Sequence, residues 1–387
     1  MTNTLLLHGR YLTDGIQKAE PHLRLTHQGG VIISLDFLSE IPSDLTCYDQ
    51  VIDLSGDYLA PGMIDIQLNG GYSKYFSLMP ELDTLSEMTQ ASLEFGTPFF
   101  YATLISSPLD VVHRAIDVVR TAMRTNPYLL GMHLEGPFLN PVRKGAHNAS
   151  LLHRPSDVEL LEVLEHGKDV IKLITIAPEM LTREQIELIQ LSGIKVSLGH
   201  SEVGYEEAME LFDQGVNIVT HLYNAMSAFS HRAPGLVGAA LLHPDVYTPL
   251  ILDGRHCHWA AARLAYRLKG DKLILLTDAA VLGRQMQEMA WEGLHAILTP
   301  DGFYVNPEGN LAGAAISMGE AVVNACQHLG VSPAEAMDMA TGRVAKALGV
   351  CGEGLGRIAV GCRAVFTRWE AGDRFTTLDV TKREIIF

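Results

Sequence analysis

Five side chains that can bind a metal or carry protons fall at or just beyond the ends of predicted strands, namely Glu135, His200, His221, His256 and Asp278. One carboxylate and two imidazoles, here Glu135, His200 and His221, leave an open position on a zinc-like ion, as in a catalytic site. Such an ion makes water a nucleophile near neutral pH. We expect Asp278 to take the proton of that water and pass it to a leaving group. His256 is placed to donate a hydrogen bond to a developing oxyanion.

Each of these residues also has a structural explanation. A single histidine at a strand end is commonly a hydrogen-bonded structural residue, and Glu135 or Asp278 alone could cap a helix or form an ion pair. The chemical interpretation is favoured because the five residues come from separate strands and would meet at one rim. His133 precedes Glu135 by two residues on the same face, so we expect it to lie deeper and to support the site.

The alternation of short apolar runs with helix-like segments predicts the elements that hold these residues. Apolar strands separated by amphipathic helices predict an α/β fold of the (β/α)8 TIM-barrel type, in which chemistry occurs at the carboxyl ends of the strands. The eight candidate strands are Met63–Leu68, Phe99–Ile105, Leu129–Glu135, Val170–Ala177, Ile194–His200, Asn217–Tyr223, Thr248–Gly254 and Lys272–Asp278.

Both ends of the chain depart from this alternation. Residues 1–57 and 354–387 read as short strands joined by turns, and we expect them to form one small β-sandwich domain. Residues 58–353 then form the barrel domain. Two turn signals, Asp301–Gly302 and Glu308–Gly309, predict an inserted hairpin before the helices expected near Met318–Leu329 and Pro333–Leu348.

The composition restricts the partners and the compartment. The 387 residues include 29 basic and 45 acidic side chains, a formal charge of −16, which argues against a nucleic acid or a membrane surface as partner. An anionic small molecule remains compatible, because one arginine and a few backbone amides can hold a phosphate. The sequence has no apolar run of membrane-spanning length and no signal pattern, and its five cysteines are scattered, so we expect a reduced, cytoplasmic protein.

The first candidate strand, GMIDIQLNGG, combines apolar and polar faces in an unusual way. Asp65, Gln67 and Asn69 share one face of the strand. A strand face that points into a protein is most stable when filled with hydrocarbon, so three polar side chains there require partners. What lies opposite them decides whether they have a structural or a chemical role.

Several motifs together resemble the N-acetylglucosamine-6-phosphate deacetylase family of the amidohydrolase superfamily. They occur in that family's order from Ala60 to beyond Gly349, and the combination of HLEGPF, GHS and THLYNAM is highly specific. The matching stretches are APGMIDIQLNG (60–70), HLEGPFLN (133–140), KGAHN (144–148), APEM (177–180), VSLGHS (196–201), THLYNAMS (220–227), PGLVGA (234–239), ILDGRH (251–256), LTDA (276–279) and MATGRVAKALG (339–349).

The resemblance implies one divalent metal per subunit, held by Glu135, His200 and His221. Zinc suits these ligands best, and iron, cobalt and manganese stay open. It implies that Asp278 is the general base and acid, and that His256 polarises the acetyl carbonyl.

Many amidohydrolases have H-x-H where this chain has Gln67 and Asn69. Amides are poor ligands for a zinc-like ion, and the branch with Q-x-N works with one metal. We therefore expect Gln67 and Asn69 to line the substrate site by hydrogen bonding without binding metal. A plain hydrogen-bonded layer of the barrel is the alternative.

For the substrate, the resemblance implies that His147 holds the sugar. It implies that Asn224, the backbone amide of Ala225 and Arg232 bind the phosphate. The matching arginine reaches across a subunit interface in this family, so the resemblance also predicts a homodimer in which Arg232 serves the partner's site. Planar guanidinium donors suit a phosphate monoester. Arg255, which stands where the family often has an apolar residue, leaves the fine substrate preference open.

The sequence therefore predicts hydrolytic deacetylation of N-acetyl-D-glucosamine 6-phosphate to D-glucosamine 6-phosphate and acetate. The first alternative is the same reaction on N-acetyl-D-galactosamine 6-phosphate or another N-acyl amino sugar, and rates on the two epimers would separate these. The second is a non-catalytic barrel scaffold, which need not carry stoichiometric metal. Retention of Glu135, His200, His221 and Asp278 argues against the scaffold.

Overall fold

A computed structural model of the protein describes residues 1–291, 294–307, 311 and 313–382. The strands, numbered in chain order, are β1 Thr2–Leu7, β2 Arg10–Thr13, β3 Ile16–Gln17, β4 His22–Gln28, β5 Val31–Leu38, β6 Gln50–Asp53, β7 Tyr58–Pro61, β8 Ile64–Leu68, β9 Phe99–Ile105, β10 Leu129–Glu135, β11 Ile171–Ile176, β12 Lys195–Leu198, β13 Thr248–Ile251, β14 Leu273–Leu276, β15 Glu288–Trp291, β16 Leu294–Leu298, β17 Tyr304–Val305, β18 Val365–Glu370 and β19 Arg374–Asp379.

Helices alternate with the strands in the middle of the chain. They are α1 Leu82–Glu94, α2 Leu109–Met123, α3 Asp157–Gly167, α4 Arg183–Leu191, α5 Tyr205–Asp213, α6 Gly235–Leu242, α7 Trp259–Lys269, α8 Met318–Asn324, α9 Pro333–Met339 and α10 Gly342–Leu348. Helix α4 shows how the sequence sets such boundaries. The Thr182 side chain accepts a hydrogen bond from the backbone amide of Gln185, and the Gln185 side chain accepts one from the backbone amide of Thr182. No helix within the described residues has the length and apolar composition to cross a membrane.

The chain divides into two compact units. The first comprises residues 1–65, 92–99 and 318–387, as far as they are described. It contains a four-stranded sheet of order β5-β4-β1-β6 and a five-stranded sheet of order β19-β18-β7-β2-β3. Residues of both sheets, among them Leu6, Leu25, Leu59 and Phe366, belong to one buried apolar cluster. The boundaries of this unit differ from those of the predicted domains, since residues 318–353 group with the chain ends.

The second unit comprises residues 66–91 and 100–317 and contains a curled set of parallel strands. A five-stranded sheet has the order β12-β11-β10-β9-β8, and β13 pairs with β14. Single parallel bridges continue the pairing from Leu198 to Val219, from Ile218 to Tyr247 and from Leu68 to Ala279. The α/β class and the parallel strands that the sequence predicted are therefore present.

Several predicted strands end earlier than expected, and one is not a strand. Segment 217–223 takes part only through single bridges, and β12 and β14 stop before His200 and Asp278. The physical reason is backbone conformation, since His200, His221 and Asp278 have φ values of 48°, 32° and 51°. A positive φ leaves the extended region and ends a strand.

The predicted hairpin is present and is formed by strands β16 and β17. Strands β15, β16 and β17 pair in an antiparallel sheet, and the predicted turn at Asp301–Gly302 joins the last two. Gly302 has a φ of 83°, which glycine adopts without steric cost. The second predicted turn, Glu308–Gly309, lies outside the described residues, as does the terminal run from Arg383.

A chain of buried polar side chains crosses the parallel strands directly below the predicted site. His133 Nε2 lies 2.7 Å from the Thr175 hydroxyl, which lies 2.7 Å from the Thr220 hydroxyl. Ser197 continues the chain 2.6 Å from Thr220, and Thr103 lies 3.5 Å from His133 Nδ1. Burial lowers the pKa of His133 to about 4, so its ring is neutral. This layer lets polar side chains occupy the interior without unpaired groups.

We expect Thr175→Val to reduce the free energy of unfolding by about 1–3 kcal/mol, because it removes the buried partner of His133 Nε2 and one of the two hydroxyl partners of Thr220. Denaturant unfolding followed by circular dichroism measures this. The control Thr121→Val changes an exposed threonine of α2 and should stay within about 0.5 kcal/mol of wild type. Equal stability of both variants would contradict a structural role for these buried hydrogen-bonded side chains.

Candidate active site

Three predicted metal ligands converge in the second unit. Glu135 ends β10, while His200 and His221 follow β12 and the bridged segment near Val219. His200 Nε2 and His221 Nε2 lie 3.2 and 3.1 Å from Glu135 Oε1, and 3.1 Å from each other. All three residues are buried. Within the described part of the chain, this is the one group of three or more histidine, cysteine, aspartate or glutamate residues whose ligand atoms all lie within 4.8 Å of one another.

The distances between these donor atoms fit a metal ion. Four ligands placed about 2.0–2.1 Å from zinc in a tetrahedron lie about 3.3 Å apart. The three atoms here are 3.1–3.2 Å apart, and the carboxylate supplies negative charge. His200 Nδ1 donates to the Arg143 carbonyl oxygen at 2.8 Å, which leaves the Nε2 lone pair directed into the cluster. The residues therefore suit a divalent ion with one open position.

The electrostatics of the cluster follow from a buried carboxylate between two imidazoles. Burial by itself would raise the pKa of Glu135, but hydrogen bonds to His200 and His221 outweigh it and hold this pKa well below its usual range. Burial would lower the pKa of His221, yet the Glu135 carboxylate raises it. The cluster thus keeps Glu135 ionised in an apolar environment, and this anion attracts a cation.

Asp278 lies beside the cluster and is held by the two amides of the first strand. Gln67 Nε2 and Asn69 Nδ2 donate to Asp278 Oδ1 at 3.0 and 2.8 Å. Burial, followed by the negative charge of Glu135, raises the pKa of Asp278 to about 6. A carboxyl group that titrates near neutral pH can both accept and donate a proton. The two amides therefore hold this carboxylate in one orientation.

His256 is fixed by a tight turn after β13. Asp253 Oδ2 lies 2.6 Å from His256 Nδ1, and Asp253 Oδ1 accepts from the backbone amides of Arg255 and His256 at 2.8 Å each. Burial acts to raise the pKa of Asp253, but the hydrogen bonds and charge of His256 lower it. The carboxylate therefore orders one ring nitrogen of His256, while the residue lines the cavity. Arg255 instead pairs with Asp301, 3.2 Å away.

A cavity of about 370 Å³ opens above these groups. It brings together most of the predicted site residues, and its lining includes Asn69, Glu135, His147, His200, His221, Asn224, Ala225, His256 and Asp278. Gln67 is buried and reaches the site through Asp278. Arg232 is exposed and is not part of the lining. No lysine or arginine occurs among the described lining residues.

His147 belongs to the segment that covers the metal ligands. Its Nδ1 lies 2.8 Å from the Ser106 hydroxyl, and its Nε2 lies 3.8 Å from Glu135 Oε2. Burial, with the neighbouring His200, lowers the pKa of His147 to about 3, so the ring is neutral and can accept or donate a hydrogen bond. Sequence reasoning did not identify Ser106, which orients this ring.

Other cavity residues were also missed. Tyr75 gave no signal, and Leu311 and Gly313 enter the lining from the segment after the hairpin. Asp253, which orders His256 from outside the lining, fell inside the predicted strand Thr248–Gly254 and was assigned no role. Their common property is that they come from connections between elements. The short turn DGRH could have indicated Asp253, because an Asp–Gly pair before a histidine permits this local hydrogen bonding.

The parallel α/β fold, the buried Glu–His–His cluster and a neighbouring carboxyl group of raised pKa are the arrangement of a metal-dependent hydrolase. Residues 58–384 match the Amidohydrolase family. The chain belongs to this family of enzymes, which confirms the resemblance seen in its motifs.

Several proteins to which the chain is similar carry the names of amino sugar phosphate deacetylases. The N-acetylgalactosamine-6-phosphate deacetylase of Shewanella sp. (strain ANA-3) is 36% identical over 83% of this chain and 81% of its own. The N-acetylglucosamine-6-phosphate deacetylase of Haemophilus influenzae is 35% identical over 78% of this chain and 80% of its own. The crystal structure of N-acetylglucosamine-6-phosphate deacetylase from Pasteurella multocida has a TM-score of 0.89 at 33% identity, covering 96% and 97% of the two chains.

We expect the purified protein to carry about one divalent metal per chain, because Gln67 and Asn69 replace imidazoles that could hold a second ion. His200→Ala should bind metal at least roughly 10- to 100-fold more weakly. His153→Ala, which changes an exposed histidine paired with Glu159, is the control and should retain the metal. Elemental analysis after dialysis gives the stoichiometry. Full occupancy in His200→Ala would show that this cluster is not the metal site.

Proposed function

We propose that this protein hydrolyses the acetamido group of N-acetyl-D-glucosamine 6-phosphate and releases D-glucosamine 6-phosphate and acetate. The observation that carries the proposal is the convergence of Glu135, His200 and His221 beside Asp278 in one cavity. The names of the relatives from Haemophilus influenzae and Pasteurella multocida support the substrate. A water oxygen adds to the amide carbon, the C–N bond breaks, and the nitrogen leaves as an amine.

Glu135, His200 and His221 would hold the metal, for which zinc is our first choice because two imidazoles and a carboxylate suit it. When bound, the ion would act as a Lewis acid that makes water nucleophilic near neutral pH. Asp278 receives the proton of the attacking water and transfers it to the departing amine. Its pKa of about 6 suits both steps. Gln67 and Asn69 keep its carboxylate oriented through their hydrogen bonds to Oδ1.

His256 stabilises the negative charge that develops on the acetyl oxygen. Ionised Asp253 accepts a hydrogen bond, so His256 Nδ1 carries a proton, and Nε2 can donate only when the ring is cationic. In that form His256 would offer a charged donor to the oxyanion, and charged donors form stronger hydrogen bonds than neutral ones.

We place the sugar against His147 and the phosphate near Asn224 and the backbone amide of Ala225, all at the cavity wall. The absence of a lysine or arginine among the described lining residues leaves the phosphate charge unbalanced within one chain. We therefore propose a homodimer in which Arg232, exposed in its own subunit, binds the phosphate in the partner's cavity.

The same site could act on N-acetyl-D-galactosamine 6-phosphate. The relative from Shewanella sp. (strain ANA-3), which carries that name, is 36% identical to this chain, close to the 35% of the Haemophilus influenzae protein. The epimers differ at the sugar C4 hydroxyl, and the reacting amide is the same in both. Relative rates on the two sugars decide between them.

For the architecture we propose that the parallel strands close into the (β/α)8 barrel of residues 58–353, and that residues 1–57 and 354–387 form the β-sandwich. Ladders and single bridges from β8 to Ala279 support the barrel. The shared apolar cluster of the two antiparallel sheets supports the sandwich. We propose a cytoplasmic location, because all five cysteines are free thiols, which persist in a reducing compartment.

The test of the proposed reaction is acetate release from N-acetylglucosamine 6-phosphate, measured with protein of known metal content. The unphosphorylated sugar and the galacto epimer are assayed in parallel. Turnover restricted to the phosphorylated gluco sugar is expected. Faster turnover of the galacto epimer would reassign the substrate, and no turnover of any of them by metal-loaded protein would reject the proposal.

Asp278→Asn should lower kcat by about three orders of magnitude or more while metal content stays unchanged, since an amide cannot accept the proton of water. Arg114→Gln, a change on helix α2 away from the cavity, serves as the control and should keep full activity. Steady-state kinetics and metal analysis on the same samples separate catalysis from binding. A near-normal rate in Asp278→Asn would remove Asp278 as the base.

Arg232→Met should raise KM for the phosphorylated sugar by about 10- to 100-fold, because a charge-assisted contact to phosphate is lost. If Arg232 acts across a dimer, mixing Arg232→Met with Asp278→Asn should restore up to about a quarter of wild-type activity at low substrate, since hybrid dimers contain one intact site. Wild-type affinity in Arg232→Met, or no recovery on mixing after confirmed subunit exchange, would contradict this role.

A further inference from the structure

The Glu179 carboxylate joins two segments of the second unit that meet at the metal cluster. Glu179 follows β11 in a 3-10 turn, Pro178–Met180. Its Oε1 accepts from Asn140 Nδ2 at 2.8 Å and from the backbone amide of Glu202 at 2.6 Å. Its Oε2 accepts from the Ser201 hydroxyl at 2.6 Å. One carboxylate thus accepts hydrogen bonds from Asn140 and from the two residues that follow His200, and Glu179 does not itself line the cavity.

The first of these segments, residues 140–148, is packed directly against the His200 ring. The Asn140 backbone amide donates to the His200 carbonyl oxygen at 3.0 Å, and His200 Nδ1 donates to the Arg143 carbonyl oxygen at 2.8 Å. Gly145 has a φ of 54°, and a Cβ there would lie 3.1 Å from His200 Cε1. The position of this segment therefore fixes both the tautomer and the orientation of a metal ligand.

The same segment carries two residues of the cavity wall. His147 and Asn148 lie only four and five positions after Arg143, and both line the cavity. The short 3-10 turn Pro141–Arg143 connects the Asn140 anchor to them, and Asn140 caps it by accepting from Val142. A shift of Asn140 would move the Arg143 carbonyl and the His147 ring together.

We infer that Glu179 is a positioning residue that couples the metal ligand His200 to the substrate-binding residue His147 through segment 140–148. Glu179 binds Asn140 in segment 140–148 and the backbone amide of Glu202 after His200. Loss of Glu179 therefore loosens both partners of the contact between segment 140–148 and His200. The metal part of this inference is independent of the substrate, while the part on His147 rests on the proposed function.

The chain offers a matched comparison for the test. Glu202 is adjacent to the same network, and its side chain pairs with the Arg143 guanidinium, but it contacts Glu179 only through its backbone amide. Glu202→Gln therefore removes a half-exposed ion pair next to His200 and leaves the Glu179 contacts in place. Ser156→Ala removes the N-cap of α3 and reports the effect of general destabilisation.

The first measurement is the rate at which zinc-loaded protein releases zinc to a chromogenic chelator. We expect Glu179→Ala to release zinc about 10- to 100-fold faster, the usual effect of losing a group that supports a metal ligand. Glu179→Gln keeps one acceptor oxygen and should be intermediate, while Glu202→Gln and Ser156→Ala stay within about twofold of wild type. Unchanged release from Glu179→Ala, or equal acceleration in the controls, would overturn the inference.

If Glu179→Ala does not fold, Glu179→Gln decides the matter. This near-isosteric variant should release zinc faster than Glu202→Gln, and equal rates would reject the role.

The second measurement is the kinetics of zinc-saturated Glu179→Gln. Displacement of His147 predicts a raised KM for the sugar phosphate that excess zinc does not correct. A wild-type KM would remove the link to His147. Faster zinc release in a protein that deacetylates none of the sugars would leave the metal part standing and reject the proposed function alone.

Discussion

The structure of the catalytic unit depends on keeping one carboxylate, Glu135, ionised in its interior. An isolated buried charge is strongly destabilising, and Glu135 is stabilised only because His200 and His221 approach to 3.1–3.2 Å. Two imidazoles and a carboxylate at these distances are ligands that suit a divalent metal ion. Much of the surrounding architecture can be understood as holding these three donor atoms in place.

Backbone conformation and buried hydrogen bonds share that task. His200, His221 and Asp278 have positive φ values, a conformation unfavourable for side chains with a Cβ, so surrounding contacts must compensate. Below them, the chain of hydroxyls around His133 fixes the strands, and above them segment 140–148 holds the His200 ring. The cavity is therefore organised on both sides before any substrate binds, which limits the reorganisation that the reaction requires.

Local pattern was sufficient for a large part of this description. Alternating apolar runs and helical segments predicted the α/β class and the parallel strands, because burial of both sheet faces leaves that periodicity in the sequence. Polar residues at the ends of those runs identified Glu135, His200, His221 and Asp278, and the structure brings them into one cavity. Motifs predicted the family, which the comparisons confirm. Strand ends were less well predicted, because a positive φ at a histidine has no signature in the amino-acid pattern.

Only the tertiary structure decided which groups act on one another. The sequence by itself determined that Gln67 and Asn69 are unsuited to binding zinc, since this follows from side-chain chemistry. That both amides donate to Asp278, that Ser106 orients His147, and that Glu179 links Asn140 to the backbone beyond His200 all depend on residues far apart in the chain. Such contacts arise when separate connections fold over the same strand ends, and their distances are set by packing rather than by spacing in the sequence.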